Sequence, residues 1–457
     1  MSELQVLNPA TGEVVDSLPS DSAETIAAKY ARARTAQKAW AKTSLDERLA
    51  LMARFREQLV AQKDELAQLL TTEVGKPLKQ SHNELNGFLG RFDFFQEKLK
   101  STLDPQTVFD ADGMLETISY EPLGVVANIS AWNYPWLVGC NVFIPALLTG
   151  NAVLYKPSEF ASLTGRAMAR LFADAGFPED VFIPVYGMGD AGAALLQQPI
   201  DGVFFTGSYG TGRKINESVA GRLIRVGLEL GGKDPLYVCD DVDVAVAAAG
   251  SADGAFYNNG QSCCAVERIY VHHSIYEPFV EAFADCVRDF VIGDPLAADT
   301  YIGALTRRGL QEQALEAQVA DAKAKGARLL VGGERVDLPG WFFAPTVFRD
   351  VNHRMALMKE ESFGPIIGIQ SVADDDEAIA LMNDTDYGLT SSVYTSDRER
   401  ARRILAEMNS GTVYWNCCDR VSPRLPWSGR GHSGMGSTLS TLGILSFVQP
   451  KAWHWRG

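Results

Sequence analysis

From about residue 124 onward the chain alternates short apolar runs with stretches of helical periodicity, and it does so twice. GVVANIS, NAVLYKPS, VFIPVYG, GVFFTG and IRVGLELGG read as strands, with helices over 134–149, 162–176, 190–198 and 209–220 between them. Strands that are apolar throughout are covered on both faces. Joined through helices of this length, they predict a parallel, doubly wound sheet. After Gly232 the alternation restarts. LYVCDD, ERIYVH, AKGARLLVGG, SSVYT and GTVYWN read as strands, with helices over 242–258, 275–290, 311–325, 374–383 and 397–408. The fold class is therefore α/β, in two such units; a chain of 457 residues is too long for one ordinary core, and two or three domains are expected.

The flanks follow other patterns. Residues 21–73 and 77–100 are helical in period, with Asp21 and Ser44 placed as N-caps. TVFDADGMLETISYEP carries a DG turn between two β-rich runs, a hairpin signal. The tail ILSFVQPKAWHW is an aromatic strand with no helix to pack on; it can pair with another subunit or with the 114–121 excursion.

Charge and cysteine usage narrow the function. A formal charge of −15 speaks against nucleic acid and anionic membrane as partners. The most apolar window, WLVGCNVFIPALLTG, is short and broken by Asn141 and Pro145, so it reads as a buried helix. MSELQVLNPATGEVV has no basic stretch followed by an apolar run, so no secretory leader is expected, and a cytoplasmic protein with reduced thiols is. Seven cysteines without a CxxC pair argue against a zinc ribbon, and no metal is expected.

Several short stretches can carry chemistry. In GVFFTGSYGTGRKI a strand runs through Gly207, Ser208 and Gly212 into a helix, which is either a phosphate-binding turn or a plain tight βα turn. Glu229 ends an apolar strand before Gly231 and Gly232. Such a carboxyl should bind its proton tightly and suits a general base, unless it reaches solvent. Asn133, at a strand end before Tyr-Pro, is an oxyanion donor or a turn residue. Lys156 and Glu159 follow a strand where doubly wound sheets bind nucleotides, or form an ordinary charged loop. YNNGQSCCAVER sets Cys263 and Cys264 side by side on a glycine-containing loop. Only one can face a pocket while the other packs inward, and the residues alone leave the choice open.

Taken in order, NPATGEVV, EPLGVVANISAWNYPW, GNAVLYKPSE, FTGSYGTG, LELGGKDP, NNGQSCCAVER, EESFGPI, NDTDYGL, SGTVYWN and PWSGRGHSG resemble the aldehyde dehydrogenase superfamily over nearly the whole chain. The resemblance implies a Rossmann-like dinucleotide-binding domain (1–113 and 122–231), an α/β catalytic domain (232–435) and a small β oligomerisation element (114–121 and 436–457). The family's Gly-Gln-x-Cys pattern falls on Gly260, Gln261, Ser262 and Cys263, which makes Cys263 the nucleophile and leaves Cys264 as its inward neighbour.

By the same resemblance Asn133 and the Cys263 N–H form the oxyanion hole, and Glu229 activates the water that hydrolyses a thioester to the free acid. The cofactor contacts implied are Ile129, Trp132, Lys156, Ser158, Glu159, Gly207, Ser208, Gly212, Leu230, Glu361 and Phe363. Glu159 near a ribose favours NAD, with NADP possible. The closing PWSGRGHSG departs from the commoner PFGGxKxSG, carrying His432 and no lysine, and Asn141 stands where many members place an aromatic residue. Tyr134, Trp136, Val138, Asn141 and Trp427 are expected in the substrate pocket, with Cys417 and Cys418 near it, and suit an apolar or aromatic aldehyde. Arg420 and Arg424 are the alternative, receiving the carboxylate of a succinate-semialdehyde type of substrate. A cofactor-independent thioester hydrolase using Cys263 and Glu229 is a further alternative; it would have no need of a dinucleotide groove. A homodimer or homotetramer is the expected assembly.

Overall fold

The computed structural model describes residues 3–457; Met1 and Ser2, where the first expected domain begins, lie outside the described residues. The chain opens on an antiparallel pair, β1 (Glu3–Leu7) and β2 (Val14–Pro19), that the sequence pattern does not announce. Leu4 and Val6 alternate with exposed Glu3 and Gln5 in β1, but that run is short, and β2 seals only Leu18. Four helices follow: α1 (Ala23–Trp40), α2 (Leu45–Ala61), α3 (Lys63–Val74) and α4 (Leu78–Leu103). Ser44 caps α2 in a capping box with Glu47. The cap of α1 is Ser22, not Asp21. Ser22 holds the extended backbone from which its hydroxyl reaches the Thr25 N–H, while Asp21 accepts from Lys29 Nζ (2.6 Å) and the Tyr186 N–H (2.8 Å). The expected hairpin is β3 (Gln106–Ala111) and β4 (Met114–Pro122). Asp112 and Gly113 both turn through positive φ between them, as a two-residue primed turn demands.

The first parallel sheet is then laid down by β5 (Val125–Ile129), α5 (Pro135–Leu148), β6 (Ala152–Lys156), α6 (Ser162–Asp174), β7 (Phe182–Pro184), α7 (Gly189–Leu196), β8 (Gly202–Thr206), α8 (Tyr209–Val219) and β9 (Arg225–Glu229). The strand order β9-β8-β5-β6-β7 grows in both directions from β5. Every residue of β5 and β6 is buried, because helices cover both faces. The order reverses between β5 and β8, and the crevice at their carboxyl ends is where this topology binds ligands.

The second unit comprises β10 (Asp234–Val238), α9 (Val244–Phe256), β11 (Val266–His272), α10 (Tyr276–Arg288), α11 (Leu310–Ala324), β12 (Arg328–Val331), β13 (Thr346–Arg349), α12 (Ala356–Lys359), β14 (Ile366–Val372), α13 (Asp375–Asn383), β15 (Thr390–Tyr394), α14 (Arg398–Ala406) and β16 (Thr412–Trp415). They form a sheet in the order β12-β13-β14-β11-β10-β15-β16, parallel except at β12–β13. The chain then crosses back. β17 (Gly434–Met435) pairs antiparallel with β9, opposite Glu229 and Leu228. After α15 (Ser440–Leu445), β18 (Val448–Arg456) runs antiparallel along the whole of β4, from Val448 opposite Pro122 to Arg456 opposite Met114. The tail thus takes one of its two expected partners, the 114–121 excursion. No helix among the described residues is long and apolar enough to cross a membrane.

Candidate active site

Two glycines after β9 bring the sheets together. A Cβ on Gly231 would lie 2.0 Å from Glu361 Oε1, and one on Gly232 2.8 Å from the Cys263 carbonyl oxygen. Only backbone without a side chain lets the end of the first sheet meet the cysteine loop of the second this closely. That loop leaves α9 through Asn258, Asn259 and Gly260, three consecutive residues at positive φ. Left-handed backbone is costly for non-glycine residues and persists where surrounding bonds over-determine it. Asn259 is clamped by the Gly303 and Ala304 carbonyls (both 3.0 Å) and the Gly303 N–H (2.9 Å). Asn258 Nδ2 donates to the carbonyls of Asn133 (3.2 Å) and Gln261 (3.1 Å), and Asn133 Nδ2 donates to Gln261 O (3.0 Å). Asn133 is therefore tied directly to the cysteine loop.

The two adjacent thiols differ in surroundings. Cys263 is half-buried, whereas Cys264 is 3% exposed and its thiol donates to Asp419 Oδ1 (3.0 Å). The Cys263 side chain, burial and the Asp419 charge together push the Cys264 thiol far above its usual range. Glu229, half-exposed at the end of β9, has its carboxyl pushed up to about 7 by desolvation, against the Thr438 hydroxyl that it accepts from and the field of Arg91. A carboxyl poised there can give or take a proton near neutrality.

The expected cofactor residues gather at the first sheet's carboxyl edge. Ile129 ends β5. Ser208 caps α8, whose first-turn N–H groups and dipole suit a phosphate. The Gly207 N–H is stitched to Glu229 O (3.0 Å). Gly212 packs on Leu230, where a Cβ would meet Leu230 Cδ2 at 2.5 Å. Lys156, 4% exposed, points its Nζ to Pro157 O (3.3 Å); burial lowers its proton affinity against the pull of Glu159 and Asp190. Ser158 donates to Glu159 Oε2 (3.1 Å). Trp132 is half-buried, edge-on to Phe363 with centroids 5.4 Å apart. Phe363 is held at positive φ by a bond from its N–H to Glu267 Oε1 (2.9 Å). Glu361 accepts from the Gly232 N–H (3.2 Å), with its carboxyl pushed up to about 8, first by burial and then by Glu267. A capped helix N-terminus, glycines at the crevice and carboxyls beside it fit a dinucleotide.

The pocket residues divide by helix face. Leu137, Val138 and Asn141 share one side of α5, and Tyr134 is its N-cap, in non-helical backbone. Tyr134 and Leu137 are half-buried, and Lys76 Nζ sits 3.8 Å above the Tyr134 ring. Trp136 does not face this side. It is fully buried, edge-on to Phe88 with centroids 5.6 Å apart, because positions 136, 140 and 143 form the opposite, core-facing stripe of α5. Asn141 is 2% exposed and accepts from Arg91 Nη1 (2.9 Å). Trp427, 5% exposed, exchanges backbone bonds with Thr438, the residue that serves Glu229. Arg420 and Arg424 are exposed. Cys417 is half-buried, Cys418 is buried against Gly250 O, and His432 stacks on Tyr209 at 3.8 Å. Sequence reasoning missed Thr438 and Arg91. A threonine in GSTLST and one arginine among the charges of a helix carry no local signal.

A half-exposed thiol on a loop bonded to Asn133, a carboxyl raised to about 7 at the end of β9 and a crevice that fits a dinucleotide are together the features of a dinucleotide-dependent oxidoreductase. The aldehyde dehydrogenase family model matches residues 1–453. Succinate-semialdehyde dehydrogenase [NADP(+)] of Deinococcus radiodurans is 36% identical over 97% of this chain and 93% of its own length. Aminoaldehyde dehydrogenase 2 of Pisum sativum, a peroxisomal protein, is 34% identical over 99% and 94%. The crystal structure of an NAD-dependent aldehyde dehydrogenase from Sinorhizobium meliloti superposes with a TM-score of 0.96 at 36% identity, covering 100% of this chain and 92% of that one. The chain belongs to the aldehyde dehydrogenase family and is an NAD(P)+-dependent enzyme that oxidises an aldehyde to the carboxylic acid.

Proposed function

We propose that Cys263 is the nucleophile, Asn133 the oxyanion donor and Glu229 the general base of this oxidation. The observation that carries the reading is the pairing of a half-exposed Cys263, on a loop bonded to Asn133, with a Glu229 carboxyl poised near neutrality. The Cys263 thiolate adds to the aldehyde carbon and makes a thiohemiacetal. Its oxyanion is held by the Asn133 amide and the Cys263 N–H; losing one such donor costs on the order of 3 kcal/mol. A bound NAD(P)+ would supply the acceptor for the hydride that leaves this carbon. Glu229 then takes a proton from water as it attacks the Cys263 thioester, and the free acid departs.

The dinucleotide would be held by Ile129, Trp132, Lys156, Ser158, Glu159, Gly207, Ser208, Gly212, Leu230, Glu361 and Phe363. Glu159, beside Ser158 and Lys156, favours the unphosphorylated ribose of NAD. The aldehyde's carbon chain would lie against Tyr134, Leu137, Val138 and Trp427, walls that suit an apolar or aromatic body. Assembly through the β4–β18 element, as a dimer or tetramer, and a cytoplasmic setting belong to the same reading. An aldehyde panel followed at the NAD(P)H absorbance, with both dinucleotides run in parallel, tests it. Turnover that survives Cys263→Ala, or acid formation without dinucleotide reduction, would remove it.

A further inference from the structure

We infer that the Arg91 guanidinium is the receptor for a carboxylate carried at the far end of the aldehyde substrate, an inference that rests on the Cys263 chemistry proposed above. Arg91 projects from α4 and is 7% exposed. A desolvated cation is costly unless an anion or a full set of hydrogen bonds compensates it. Arg91 has neither. It forms no ion pair among the described residues; Nη1 donates to Leu137 O (2.8 Å) and Asn141 Oδ1 (2.9 Å), and the Cys140 sulfur is its other partner. All three are neutral, and a guanidinium has five N–H groups to place. Arg268, fully buried, shows the contrast. Its Nε, Nη1 and Nη2 reach the Lys233, Leu381 and Met382 carbonyls and the Tyr270 hydroxyl. The buried carboxylate near Arg91, Glu84, is already engaged by Lys76 Nζ and by the Trp136 N–H (2.9 Å).

The position matches the need. Both oxygen acceptors of Arg91 lie on α5, whose N-cap is Tyr134, and Asn133 immediately precedes that cap. Asn133 lies two residues before the first residue of α5, and Leu137 and Asn141 fall within the first two turns of that helix, so the Arg91 contacts sit close in the chain to the proposed oxyanion donor. A substrate with its carbonyl at Asn133 and a carboxylate a few carbons away would place its two ends toward these two groups. Glu229 feels the Arg91 charge, so the guanidinium and the catalytic carboxyl share one environment. A carboxylate would accept from the open side of the fork in the paired geometry arginine favours. Arg420 and Arg424, both exposed, are not needed for this.

The test compares Arg91→Gln and Arg91→Lys with wild type on succinate semialdehyde, on butanal and on 4-aminobutanal, following NAD(P)H. For R91Q the expected kcat/KM on succinate semialdehyde falls roughly 10- to 100-fold, mainly through KM. Measured well above the Glu229 titration, where that carboxyl is ionised with or without the Arg91 charge, butanal changes by less than about threefold, 4-aminobutanal is helped, and R91K is intermediate. Succinate should compete with butanal in wild type and lose that ability in R91Q. Equal losses on butanal and the semialdehyde would make Arg91 a brace between α4 and α5 or a modulator of Glu229 and overturn the inference. Should R91Q not fold, wild type decides: succinate must inhibit butanal oxidation more strongly than the neutral succinamide, and equal inhibition overturns it. Absence of any aldehyde-dependent reduction would instead sink the Cys263 reading, whereas butanal turnover without preference for a carboxylate sinks this inference alone.

Discussion

At the scale of single residues, a pair of neighbouring thiols divides one job from none. Cys263 is half-open while Cys264 is sealed against Asp419. Cys263→Ala is expected to abolish NAD(P)H formation, and Cys264→Ala to retain activity within about tenfold, as removal of a small buried neighbour allows. The reverse ranking in a steady-state assay would exchange their roles. Glu229 gives a pH signature. Its folded carboxyl titrates near 7 and must be ionised to take a proton from water, so acid release should rise with pH through about 7 and level off above. Glu229→Gln should remove that limb and let the acyl-Cys263 adduct accumulate, visible by mass spectrometry after acid quench. The same shift has a stability consequence of opposite sign. A carboxyl that titrates higher folded than unfolded stabilises the fold below its unfolded value and loses that contribution as pH rises through about 7. E229Q should therefore melt no lower than wild type at pH 8. The residues alone suggested Glu229's raised proton affinity from its apolar strand. They were silent on which thiol faced out, because side-chain direction depends on the strained turn before it. They were silent on Arg91 too, because a helix charge reads as a solvent face until a second helix covers it.

At the scale of elements, what was legible followed from length and burial. The fully buried strands β5, β6 and β10 stand out as apolar runs. β13, with four residues, and β14, entered through Gly364 and Pro365, do not; β1 alternates over a short run only, and β2 seals only Leu18. On α5 the helix was visible but its inner face was not, so Trp136 was expected in the pocket when its stripe packs on Phe88. The loop from Asn258 to Gly260 is the element that most shapes the chemistry. Gly260 has φ +67°, and a Cβ there would lie 2.4 Å from the Gly364 carbonyl oxygen. Gly260→Ala must therefore distort the loop twice over, through backbone strain and through collision. A loss of at least ~1 kcal/mol in stability is expected, with a larger loss of activity as Asn133 and Cys263 part. Thermal melting together with the labelling rate of the reactive thiol would measure both; unchanged labelling would show that the loop does not set the thiol's position.

At the scale of the whole molecule, the site exists only because two sheets meet. Glu229 ends a strand of one, Cys263 precedes a strand of the other, and β17 returns from the second unit to pair beside Glu229. The third sheet takes no part in that contact and asks for another explanation. β18 runs the full length of β4, yet β3, on the far side of β4, is exposed at every residue, with Val108 and Phe109, and Trp455 on β18, open to solvent. A strand edge with unpaired backbone groups and exposed Val108 and Phe109 is a template on which another chain can pair. Removing Val448–Gly457 strips β18 from β4 while leaving α15 in place against α4 and α5. The two α/β units should then melt close to wild type, because their cores do not include β18 beyond Val448. On the proposed assembly, the full chain should sediment as a dimer or tetramer and the truncated chain as a monomer. A truncated chain that sediments like the full one would place the assembly surface elsewhere. A truncated monomer that still oxidised aldehyde would show that this sheet builds the assembly and leaves the chemistry to the junction of the other two.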